Sequence, residues 1–150
     1  MTNPFDPRTV FFAKHAQHVV LIHFPIALFI TGTGFDAAAA WTKRHALAVV
    51  AQYNLMGAAI MSVPVVVSGL LAWQWALEGQ RLKGILLLHL IFGLLSTVMM
   101  WVVGWWQYRA LRGSGEVAAK YRIPIELAAV ALVGLTGHLG GFLSGVNVGG

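Results

Sequence analysis

Four long apolar runs separated by short polar stretches organise the chain, at about 16–41, 48–74, 84–107 and 124–147. At ~1.5 Å of rise per residue, each is long enough to cross the ~30 Å hydrocarbon layer of a bilayer as a helix. The charges collect in the gaps, which read TKRH (42–45), ALEGQRLK (76–83) and YRALRGSGEVAAKYR (108–122). Lipid offers the backbone no hydrogen-bond partner, so the runs are expected to be helices, and short gaps force sequence neighbours to run antiparallel. The fold class that follows is all-α, an integral membrane antiparallel four-helix bundle forming a single domain over 1–150. Gly113 and Gly115 punctuate the third gap, and Pro124 reads as a first-turn residue of the fourth helix with Glu126 in the same turn.

Composition agrees with that pattern. Hydrophobic residues make up 58% of the 150, charged residues only 10%, and the mean hydropathy is +0.74. Soluble domains carry about 25% charged residues, so most of this surface is fitted to lipid. The chain has no cysteine, which excludes disulfides, iron-sulfur clusters, thiolate zinc sites and covalently attached c-type haem. Histidine is then the strongest soft-donor ligand available. The net charge of +5 comes from short basic clusters between apolar runs with no nucleic-acid motif beside them, so the expected contact is the lipid bilayer and not nucleic acid.

Tryptophans 41, 73, 75, 105 and 106 and Tyr108 lie near the ends of the runs, as interfacial anchors do. Lys43, Arg44, Arg109, Arg112, Lys120 and Arg122 fall on one side of the expected bundle; Arg8, Lys14, Arg81 and Lys83 fall on the other. The bias puts both termini outside, in the periplasm if the membrane is a bacterial inner membrane. DAAAAW (36–41) offers a small-residue cleavage site, but the run before it is longer than a signal-peptide core and is interrupted by His18, His23 and Pro25, so it is read as a membrane helix.

The candidate chemistry is carried by histidines. His23, His89 and His138 fall in the outer halves of helices one, three and four. Four residues from each, on the same helical face, stand Ala27, Gly93 and Gly134, all one turn deeper in the bundle. An axial imidazole with a small residue beneath it suits a flat macrocycle, and haem b is held by histidine without cysteine in helix bundles. The metal ligands expected are therefore two among His23, His89 and His138, with Ala27, Gly93 and Gly134 giving clearance for one haem b or two. Intramembrane histidines also hydrogen-bond neighbouring helices, and small residues also serve close packing. Gly137, Gly141 and Gly145 form such a small-residue ridge, a surface for oligomerisation or helix contact.

His18 is turned about 140° from His23 and cannot easily share its partner. It is read as a ligand of a second cofactor, a donor to a haem propionate or a quinone, or a residue wetted by headgroups. His15 and His45 are read as solvated. Pro25 and Pro64 read as kinks, Asp36 as pairing with Lys43 or Arg44, and Met56, Met61, Met99 and Met100 as packing.

The H-x4-HFPIAL of His18 to Leu28, the FD of Phe35-Asp36, His89 and the TGHLGG of Thr136 to Gly141 together resemble a widespread family of bacterial four-helix membrane proteins. That family is catalogued as a domain of unknown function, and some members are joined to a Rieske iron-sulfur domain. The resemblance covers nearly the whole chain. His18, His23, His89 and His138 match its recurring histidines, and Val19 stands where relatives usually carry proline. It implies a membrane protein with electron-transfer company and supplies no reaction.

The reading that follows is a membrane b-type cytochrome, or the haem-bearing anchor of a redox complex. It would pass electrons between the quinone pool and a periplasmic cytochrome or Rieske partner, and is more an electron-transfer subunit than a stand-alone enzyme. The alternative is a cofactor-free accessory subunit of a larger respiratory or photosynthetic complex. A small transporter is a third, thinner reading.

Overall fold

In a computed structural model, residues 14–115 and 117–145 are described, so Arg8 and positions 146–147 of the fourth run lie outside them. Among the described residues, five helices make four spans. They are α1 (Lys14–Leu21), α2 (His23–Thr42), α3 (His45–Ala76), α4 (Gly84–Leu111) and α5 (Ala119–Leu143). The spans Gln17–Thr42, His45–Trp75, Gly84–Leu111 and Ala119–Leu143 are each long and apolar enough to cross a membrane.

α1 and α2 are one span interrupted at Ile22. Pro25 has no N–H to give the carbonyl of Leu21, so the ladder loses a bond where α1 ends. Ile22 stays in the helical region (φ −59°, ψ −28°) and the next bond, Ile26 N–H to the Ile22 carbonyl, is long at 3.4 Å. The weakened joint lets α1 pack on α3 while α2 continues in the bundle.

The helices wind in sequence order. Each packs on its neighbour in the chain, and α5 closes the ring against α2 over a shorter seam, which leaves α2 diagonal to α4. The turn between α2 and α3 is tight because Lys43 takes a left-handed conformation (φ 58°) and gives its N–H to the Ala39 carbonyl at 2.8 Å.

The core is small and lies toward the end where α2 meets α3. Phe29, Leu55, Ala58, Ala59, Met100, Val103, Ala129 and Val133 form it. Small residues set the spacing there. A Cβ on Gly32 would come 2.8 Å from the Leu55 side chain, and one on Gly104 would come 2.9 Å from the Ala59 Cβ.

Several helix ends lie beyond the apolar runs, but α5 stops at Leu143, short of the expected 147, where Ser144 and Gly145 turn. α3 starts at His45, α4 continues to Leu111, and α5 starts at Ala119, ahead of the expected 124. Pro124 is consequently inside α5 and not in its first turn, and Glu126 is completely buried. The segment AAKYR is a good helix former, and Arg122 within it has a partner in the bundle.

Candidate cofactor cavity and a buried ion-pair cluster

At the end where α1 starts and α5 stops, the helices border a half-open cavity of about 480 Å³. His18, His23 and His89 line it, and Ser96, Thr136 and Trp73 are among the residues beside them. The size falls within the ~300–1,000 Å³ typical of small-molecule and cofactor sites.

Hydrogen bonds fix the tautomers of these rings. His89 Nδ1 lies 3.0 Å from the Thr136 carbonyl and His23 Nδ1 lies 2.7 Å from the Val19 carbonyl. A carbonyl only accepts, so in both rings Nδ1 carries the proton and, in the neutral form, Nε2 keeps the lone pair. Ser68 donates its hydroxyl proton to the Val65 carbonyl at 2.9 Å, so it accepts from His18 Nδ1–H at 3.0 Å. The same reasoning orders the cavity wall: the Thr136 hydroxyl donates to the Leu132 carbonyl, and Ser96 therefore donates to Thr136 at 3.1 Å.

Glycines on the facing helix make room for two of these rings. A Cβ on Gly69 would stand 2.9 Å from His18 Cε1, and a Cβ on Gly140 would stand 3.1 Å from His89 Cε1. His18 on α1 against Gly69 on α3, and His89 on α4 against Gly140 on α5, are therefore similar docks. In each, a ring lies on a glycine and is tied by Nδ1 to the neighbouring helix.

The expected constellation is changed accordingly. His138 does not line the cavity; it is exposed, with its ring edge-on to Phe142 at a centroid distance of 5.0 Å. It stands two residues from both Thr136 and Gly140, which turns it roughly 160° away from the pair that bonds and seats His89. Gly93 borders the cavity, whereas Ala27 and Gly134 are exposed and do not. Spacing along one helix found the small residues of the same face, but the room for a ring is made across the interface, by Gly69 and Gly140. Gly137 and Gly141 also border the cavity, and Gly145 lies beyond α5 with φ 78°, so the three do not form one continuous helical ridge. Among the described residues no group of three or more His, Cys, Asp or Glu side chains is placed to hold a metal ion. His45 is exposed at the start of α3, and the His15 side chain lies outside the described structure.

A second polar site sits in the opposite half. Arg122 grips Asp36 with both edges of its guanidinium, Nε to Oδ2 at 2.6 Å and Nη2 to Oδ1 at 2.8 Å. Its Nη1 donates to the Val117 carbonyl at 2.8 Å. Glu126 Oε1 lies 3.7 Å from Arg122 Nε and accepts from Gln107 Nε2 at 3.3 Å. Asp36, Gln107, Arg122 and Glu126 are all buried. The partner of Asp36 is thus Arg122 on α5, in place of the nearby Lys43 or Arg44. The usable signal was the stripe Arg122, Glu126, Ala129, Val133, whose helical spacing puts two charged residues in line with two apolar core residues.

No curated protein and no solved structure matches the chain. One family model does, over residues 14–148, and covers the histidine cavity and the ion-pair cluster together. The chain belongs to the family described as Predicted membrane protein (DUF2231).

Proposed function

We propose that this membrane protein is a b-type cytochrome, or the haem-bearing anchor of a redox complex, with haem b held by Nε2 of His23 and Nε2 of His89. One observation carries the reading. Both residues line one cavity from diagonal helices, and both have Nδ1–H committed to a main-chain carbonyl. Histidines that ligate metals are usually held in that way, which fixes the ring and keeps the Nε2 lone pair for the metal. When bound, haem supplies a one-electron couple. The chain supplies two oriented imidazoles, the one on His89 half-buried and the one on His23 exposed at the cavity's edge, and a largely apolar lining. His18, whose Nδ1–H is given to Ser68, would donate to a propionate or a quinone carbonyl through Nε2–H as the imidazolium. The setting is a bacterial inner membrane with both termini on the periplasmic side, and the partners are the quinone pool and a periplasmic cytochrome or Rieske protein.

Oxidised and dithionite-reduced spectra of the protein, purified in mild detergent from haem-replete cells, test this. A low-spin haem b spectrum is expected, lost in His23→Ala and His89→Ala and kept in His138→Ala and His45→Ala. A folded preparation without a chromophore, or a full spectrum in His89→Ala, overturns the assignment.

The bonds from His18 to Ser68 and from His89 to Thr136 favour a second reading, a cofactor-free accessory subunit whose histidines tie helices together. It expects the colourless preparation, with His18→Ala and His89→Ala losing thermal stability instead.

A further inference from the structure

We propose that Glu126 binds a proton inside the bundle, so that the cluster of Asp36, Arg122 and Glu126 holds one exchangeable proton as its ligand. This does not rest on the haem reading, because the cluster lies in the other half of the molecule and shares no residue with the cavity.

Among the described residues the cluster contains two carboxyls and one guanidinium, all buried, so full ionisation of these three would leave one excess negative charge among apolar helices. A buried charge without a counter-ion is costly, and a carboxyl escapes that cost by taking up a proton.

Geometry says which carboxyl takes it. Asp36 receives two short bonds from Arg122, whereas Glu126 meets the same guanidinium only at 3.7 Å, beyond hydrogen-bond length. Gln107 gives Glu126 Oε1 its one donor, and Oε2 finds no partner among the described residues although the side chain is 0% exposed. An ionised carboxylate needs donors on both oxygens, but a protonated one brings a donor of its own. Asp36 and Glu126 are both met by the Arg122 guanidinium, so a proton on Glu126 relieves the repulsion between two carboxyls that share one cation. The bond formed is Glu126 Oε2–H, and it leaves one carboxylate against one guanidinium.

The ionisable groups acting on Glu126 are Asp36 from α2 and Arg122 from its own helix, with Gln107 facing it from α4. α3 adds no charged group among them. Thr33, one turn from Asp36 on α2, adds a second buried oxygen without a partner among the described residues. A small cation such as Na⁺ would neutralise the same charge, and the experiment separates the two.

Infrared spectra of the protein in lipid nanodiscs, at neutral pH in potassium buffer, read the carboxyl directly. The expected result is a protonated-carboxyl C=O band that moves down in D₂O, is lost in Glu126→Gln and is kept in Glu78→Gln, which alters an exposed loop. No such band in the folded wild type, or a band unchanged by Glu126→Gln, overturns the proposal. So does loss of the band when sodium replaces potassium, which would make the ligand a cation. Because the D₂O shift is read on the wild type, the test stands even if a variant folds poorly.

Discussion

Arg122 is the side chain on which most of the buried polar structure depends, since it answers Asp36, reaches Glu126 and ties the start of α5 to the Val117 carbonyl. Breaking a buried pair from one side leaves the other charge without compensation, at a cost of ~3–5 kcal/mol, whereas replacing both partners by apolar residues is often close to neutral. Asp36→Asn is therefore expected to lower the thermal unfolding midpoint in detergent markedly, and Asp36→Leu combined with Arg122→Met to recover much of the loss. Equal midpoints for wild type and Asp36→Asn would show that the pair carries no stability. Asp36 stood out in the sequence as an acid within a membrane run. Its partner did not, because the choice among several arginines depends on how α2 packs on α5, across 86 positions of sequence. The histidines divide in the same way: His23 and His89, marked in the sequence by their place in the apolar runs, border one cavity, while His138 is turned off that face by helical phase.

At the scale of elements, close approach is set by positions that lack side chains. α3 and α4 meet where Gly104 faces Ala59, and a Cβ there would lie 2.9 Å from the Ala59 Cβ, well inside van der Waals contact. Overpacking a tight interface costs ~1–3 kcal/mol, so Gly104→Ala is expected to destabilise the bundle by about that much. Ala59→Gly removes the opposing carbon, so the double variant should be more stable than the two single losses added together predict. Strict additivity in the thermal midpoints would place the effect elsewhere. The four runs were plain in the sequence because hydropathy marks the part of a helix that lies in hydrocarbon. Their ends were not, because backbone hydrogen bonding continues past the last apolar residue: α4 runs on through Tyr108 and Arg109, and α5 begins before Arg122. The break at Ile22 follows from Pro25, but the glycines that seat the rings could not be read from one helix alone, since each faces a histidine on another.

The molecule as a whole turns large apolar residues outward and keeps polar ones inside. Trp41, Tyr53, Ile60 and Val98 are each more than half exposed, while Asp36, Gln107, Arg122 and Glu126 are buried. Lipid gives helices no hydrophobic reason to associate, so contacts between small residues and interior polar bonds hold the bundle. That inversion bears on orientation, because Arg122 is spent on Asp36 and is not a loop charge free to meet an anionic leaflet. The side carrying the α2–α3 and α4–α5 turns then keeps Lys43, Arg44, Arg109, Arg112 and Lys120, five against the four on the other side. On the proposed orientation, which that excess supports, those two turns face the cytoplasm. Since the chain has no cysteine, a single one can be introduced at Gln80, between α3 and α4, or at Ser114, between α4 and α5, and both positions are exposed. A membrane-impermeant maleimide applied to intact spheroplasts should label Gln80→Cys, and should reach Ser114→Cys only after permeabilisation. The opposite pattern would put the histidine cavity at the cytoplasmic face, and a periplasmic electron carrier could not then be its partner.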